Sequence, residues 1–273
     1  MKKDVKLYLI ISFGWTWSLW IIAYLISSNI GHKLVTDMDI FSMFPMYINR
    51  NGFLPQVVFA LAVLGPMFGY FGSENRKPFW GDPKKEIVLL TIIFPIVMVI
   101  PTFILSSISG QFSNQSISMG ILFTIITYFV SNLITSGTEE FGWRGYLYPA
   151  LKEKNMTFGD IAWKGGLLWA LWHFPLIFFL YFNQGIFVLL PSFIGFTAGI
   201  IAMNYITNFI YEKSKSIFLS MILHAMNNTA SFTIMLFFPK TSFLFISSIM
   251  AWAVVAYIEK KYKLNSENNK KIS

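Results

Sequence analysis

Glu139, Glu140 and Arg144 in TEEFGWRGYLYP, His173 in LLWALWHFP, and His224, Asn227 and Asn228 in MILHAMNNTA all stand inside otherwise apolar sequence. An ionisable side chain at mid-bilayer costs about 2.5–3.5 kcal/mol by the lower estimates, so each one asks for a partner or a task. Glu140 and Arg144 are four residues apart, so they can meet on one helical face and hold the charge of the second carboxylate. Glu139 lies about 100° round the helix from Glu140 and can point elsewhere. His224 and Asn228 share a face by the same four-residue spacing, and Asn227 is displaced to one side of it. Trp169, four residues before His173, packs beneath the imidazole. Pro175 leaves the carbonyl of Leu171 without its helical donor, which loosens the helix beside the histidine.

A carboxylate, a histidine and an amide-bearing face suit peptide hydrolysis by activated water. Glu139 is the candidate general base, with His173 orienting or activating the water. His224 and Asn228 are candidates to donate hydrogen bonds to the developing oxyanion, and Arg144 is a structural support. Glu139, His173 and His224 also form a His₂Glu set able to bind zinc with a position open for water. A mechanism without metal or other cofactor is preferred, because no His-x₃-His pairing pre-forms a metal site. The sequence has no H-E-x-x-H, no G-x-S-x-G and no Asp within an apolar span, and it contains no cysteine. Those absences remove the zincin, serine, aspartyl-dyad and thiol chemistries.

The elements that must carry these residues are membrane helices. The chain is 55% hydrophobic and 12% charged, whereas soluble domains carry about 25% charged residues. Apolar stretches of about 20 residues, each able to cross a hydrocarbon core of ~30 Å, recur along it. About eight are expected: 7–28, 53–71, 87–107, one long helix from about 117 to 150, 163–182, 187–210, 217–238 and 242–258. The first is read as a retained span, because it lacks a small-x-small cleavage site and is longer than a signal sequence. The fold class is therefore all-α, a polytopic bundle forming a single transmembrane domain over 1–258, with a polar cytoplasmic tail over 259–273.

With these spans, about 18 of the 21 Lys and Arg fall on one side, which predicts a multi-pass protein of the cell membrane with both termini cytoplasmic. The formal charge of +8 then reflects topology and anionic lipid, not nucleic acid. The same topology puts Glu139, His173 and His224 roughly 16, 15 and 11 Å from the cytoplasmic ends of their helices. A shared polar site at one depth offsets their desolvation. Asn132, Asn204 and Asn208 are read as interhelical glue.

The motifs resemble a known family. EEFGWR matches the E-E-x-x-x-R motif of the CAAX prenyl endopeptidase-like family (CPBP), which includes type II CAAX prenyl endopeptidases and many bacterial Abi proteins. WALWH, 169–173, matches its F-x-x-x-H motif apart from Trp in the first position, and HAMNN, 224–228, matches H-x-x-x-N. The resemblance covers about 117–238. It implies an intramembrane glutamic endopeptidase with Glu139 as base, His173 beside it, and His224 and Asn228 as oxyanion partners, supported by Glu140 and Arg144. The family has been described both with and without zinc. Trp169 puts only the packing under His173 in question.

The expected substrate is a small membrane-associated peptide or protein. The competing classes are a non-catalytic bacteriocin-immunity or regulatory scaffold of the same family, and a proton-relaying transporter. A transporter is expected to carry inverted repeats, and none is found.

Overall fold

A computed structural model of the chain describes residues 3–36, 41, 43–49, 52–73, 77, 79–112 and 119–264. Among them every regular element is helical. In chain order these are α1 (Lys3–Asn29), α2 (Met43–Asn49), α3 (Phe53–Ala62), α4 (Gly65–Phe71), α5 (Lys85–Ile108), α6 (Met119–Ile134), α7 (Glu139–Gly142), α8 (Tyr148–Lys152), α9 (Phe158–Trp172), α10 (Phe174–Tyr181), α11 (Ile186–Ser214), α12 (Ile217–Phe237) and α13 (Phe245–Tyr262).

Each of the eight expected stretches is helical, but the number of crossings is not confirmed as eight. Four helical runs are long and apolar enough to span a membrane: α1, α5, the run Met119–Lys152 and α11. The pairs α3 with α4 and α9 with α10, bent by 46° and 48°, raise the count to six if each pair is one span. Helices α12 and α13 fall outside that set. The first carries His224, Asn227 and Asn228, and the second ends in Glu259, Lys260 and Lys261. Helix α12 nevertheless packs among α5, α6 and α11. The helix expected to end at 258 continues to Tyr262, and residues 265–273 of the expected tail lie outside the described residues.

The two bends follow from proline. Pro66 has no N–H to give the carbonyl of Ala62, and the Thr16 hydroxyl of α1 donates to that carbonyl at 2.7 Å instead. Beside it, the Trp15 indole donates to the carbonyl of Leu61 at 3.0 Å. At the second bend Pro175 interrupts the helix, as expected, and His173 occupies the junction between α9 and α10. Helix α1 reaches this bend too: Trp17 donates to the carbonyl of Trp172 at 2.9 Å, and Trp172 donates back to the carbonyl of Ser12 at 3.3 Å.

The core centres on the second half of α11, where every residue from Ile201 to Tyr211 is buried, as a helix surrounded by other helices requires. Helix α9 lies close against it because Gly165 and Gly166 face it. A Cβ on Gly166 would meet the Ile201 Cα at 2.8 Å, and one on Gly165 would meet the Asn204 amide at 3.1 Å.

The expected single helix from 117 to 150 departs most from regularity at the Glu139 segment. Helix α6 ends at Ile134, a 3₁₀ turn fills Ser136–Thr138, α7 follows, and a π-helical turn occupies Trp143–Leu147 before α8. Such π turns insert one residue into the helical repeat and occur often at functional sites. Gly142 lets this segment press on its neighbours: a Cβ there would lie 2.5 Å from both the Pro66 carbonyl and the Tyr8 hydroxyl.

Candidate active site

Glu139 and Glu140 are both buried, at 2% and 0% exposure, and they point to different partners, as their 100° separation requires. Oε2 of Glu139 accepts two indole N–H bonds, from Trp169 at 2.8 Å and from Trp143 at 3.4 Å. Trp143 is one helical turn beyond Glu139, so its contribution was open to the same spacing rule that paired Glu140 with Arg144. The sequence reading had not singled it out.

Glu140 is the centre of an ionic cluster. Arg144, also fully buried, approaches Glu140 Oε2 at 2.9 Å and donates to Oε1 at 3.1 Å. The second Arg144 nitrogen donates to Asn204 Oδ1 at 2.9 Å, and the Asn204 amide donates to the carbonyl of Ala162 at 2.8 Å. Asn204 therefore links the Glu139 segment, α11 and α9. It is interhelical glue, as expected, but glue bonded to the site. The Arg144 guanidinium also lies over the Trp169 ring, 4.7 Å from its centroid.

The two histidines are held differently. His173 Nδ1 is 2.9 Å from the carbonyl of Trp169. A carbonyl only accepts, so Nδ1 donates this bond and Nε2 is left for another partner. His224 Nδ1 lies 2.9 Å from Glu140 Oε1. Glu140 is the carboxylate turned toward α12, and Glu139 is turned toward α9. The ring of Trp169 is close to both imidazoles, with centroids 5.3 Å from His224 and 6.1 Å from His173. Trp169 does pack against His173, as expected, but it also contacts every ionisable group of the cluster except Glu140.

Asn228 does not bond to any of these groups. Its amide donates to Asn132 Oδ1 at 2.9 Å, and Asn132 donates to the carbonyl of Tyr128, so the pair ties α12 to α6. One amide hydrogen of Asn228 is thereby fixed and the other is left for a further acceptor.

Zinc was weighed from the sequence for Glu139, His173 and His224. Among the described residues no three His, Asp or Glu side chains come together in an arrangement that could hold a metal ion. One oxygen of Glu139 is taken by two indoles, and His224 Nδ1 is taken by Glu140. As placed, these three side chains do not fit a metal ion.

Chemically, the cluster offers one carboxylate oxygen free of its indole donors, one imidazole with an open Nε2 and a second imidazole backed by a carboxylate, with the Asn228 amide one turn further along α12. Residues 118–230, which contain all of them, match the family model for Rce1-like type II CAAX prenyl endopeptidases. Over 244 residues the chain is 27% identical to the CAAX prenyl protease 2 of Methanococcus maripaludis, covering 83% of each chain.

Proposed function

For a multi-pass membrane chain whose segment 118–230 matches the model for Rce1-like type II CAAX prenyl endopeptidases, we propose an intramembrane glutamic peptidase that hydrolyses a peptide bond of a membrane-associated peptide or protein. Glu139 takes a proton from water through Oε1, while the two indole N–H donors hold Oε2 and fix the carboxylate plane. His173, oriented through Nδ1, accepts from the same water at Nε2. The hydroxide so formed adds to the carbonyl carbon. His224, as an imidazolium backed by Glu140, and the spare amide hydrogen of Asn228 donate to the oxyanion that develops. Collapse of the tetrahedral intermediate breaks the C–N bond, and the proton held by Glu139 passes to the leaving amine.

The observation that carries this reading is the paired indole clasp on a buried carboxylate. A carboxylate serving only as a membrane anchor would need no such arrangement away from Arg144. The match of residues 118–230 to the model for Rce1-like type II CAAX prenyl endopeptidases supports a peptide or protein substrate in the membrane. Its cleavage chemistry and the identity of its base are the proposal.

The test is Glu139→Gln, which keeps the shape and removes the base. Turnover is expected to fall about 10²–10⁴-fold, the usual contribution of general-base catalysis. The readout is the loss of new peptide termini in membranes complemented with the variant, compared with wild type. Unchanged termini and an unchanged cellular phenotype would instead indicate a non-catalytic scaffold.

A further inference from the structure

Asn227 belongs to the HAMNN segment but takes no part in the cluster around Glu139. It lines a partly open cavity of about 180 Å³ between α5, α11, α12 and α13, together with Ser231, Ser247, Ser248 and, from α11, Phe196. The cavity lies midway along α5, α11 and α12, far from either end of those helices. The Ser247 hydroxyl is 3.1 Å from that of Thr102. The amide of Asn227 and the hydroxyls of Ser231 and Ser248 take no hydrogen-bond partner among the described residues.

Polar groups at this depth have no bulk water to satisfy them, and hydrocarbon filling the cavity would leave all of them unbonded. A volume of this size holds several waters at the ~30 Å³ each occupies in the liquid, and a buried water wants two to four polar partners. One amide and three hydroxyls supply them. We propose that the cavity holds a cluster of ordered water, and that this cluster supplies the hydrolytic reaction through Phe196.

The ring of Phe196 forms part of the cavity wall and meets the His173 imidazole edge-on, with centroids 5.1 Å apart. It is thus the partition between the water and the group that orients the nucleophile. Each turnover consumes one water, its hydroxyl joining the carbonyl carbon and its proton the amine, so a site enclosed among apolar helices needs a local source. The occupancy claim stands without the proposed hydrolysis; the supply claim rests on it.

The chain has no cysteine, so Ser231→Cys and Ser248→Cys each introduce a single reporter thiol. Methanethiosulfonate ethylammonium reacts with thiolate, which forms only in contact with water. In vesicles both thiols are expected to react about tenfold faster or more than the lipid-facing control Ile194→Cys, whose native side chain is 71% exposed on α11. Rates equal to the control would overturn the proposal, since the cavity would then be dry or filled by lipid.

The supply role is read from Asn227→Leu, expected to lower kcat about five- to tenfold with KM unchanged. Asn227→Ser keeps a polar group and is expected to retain wild-type turnover, which separates lost water from lost folding. Wild-type kcat in Asn227→Leu would overturn the supply role. Turnover surviving in Glu139→Gln would overturn the hydrolase reading instead, and would leave the labelling result as it stands.

Discussion

Trp169 touches both faces of the proposed chemistry: its indole N–H bonds Glu139 and its carbonyl bonds His173. Phe at this position would satisfy the family motif and fill much of the same space, yet it cannot donate. A hydrogen bond to a charged group contributes about 1.5–3 kcal/mol, so Trp169→Phe is expected to reduce kcat about tenfold to hundredfold. The melting temperature in detergent should fall as well, since the same bond supports the buried carboxylate, and a steady-state assay beside a thermal scan checks both. The neighbouring acid weighs more on stability. Glu140→Ala leaves Arg144 buried without its carboxylate and is expected to cost about 3–5 kcal/mol of stability, read as a large loss of thermal resistance. At this scale the sequence was legible where the rule is local. The four-residue spacing showed the Glu140–Arg144 pair, and the 100° step showed that Glu139 would diverge from it. The His224–Glu140 bond and the Arg144–Asn204 bond were not legible, because each depends on how one helix is rotated against another 60 or more residues away.

Helices and their joints were partly written in the residues. Pro175 marked the break at His173, and Pro66 with Gly65 explains the bend between α3 and α4. The succession of 3₁₀, α and π turns around Glu139 was not anticipated, and a single continuous helix was expected there. No proline marks the 3₁₀ and π turns, and the irregularity accompanies close packing of Gly142 on Pro66 and Tyr8. The contact of α9 with α11 offers a direct test of how tightly the site's scaffold is built. Gly166→Ala places a methyl 2.8 Å from the Ile201 backbone, which a flexible side chain cannot relieve. Overpacking of this kind costs about 1–3 kcal/mol, so the variant should unfold at lower temperature. Because Trp169 and His173 follow on the same helix, its kcat should fall as well, even at temperatures where the protein is folded.

For the molecule as a whole, composition alone identified a helical membrane protein, and every expected stretch is helical. The number of crossings was harder to read, since the residues that make α12 chemically interesting are the ones that lower its apolarity. If α12 and α13 both cross and each bent pair is one span, the count is even and both termini lie with the Lys-rich loops on the cytoplasmic side. Epitope tags at the two ends should then be digested together in inside-out vesicles and protected together in right-side-out ones; a split result would require an odd count. The Glu140–Arg144 bridge has a further consequence for biogenesis. During synthesis the segment bearing both carboxylates leaves the ribosome well before Asn204 and His224 exist. Arg144, only one turn away, is the countercharge available to Glu140 at that moment. The nascent helix can therefore partition from the translocon with Glu140 already countered and Glu139 as its one uncompensated carboxylate, and recruit its remaining partners only after the later helices arrive.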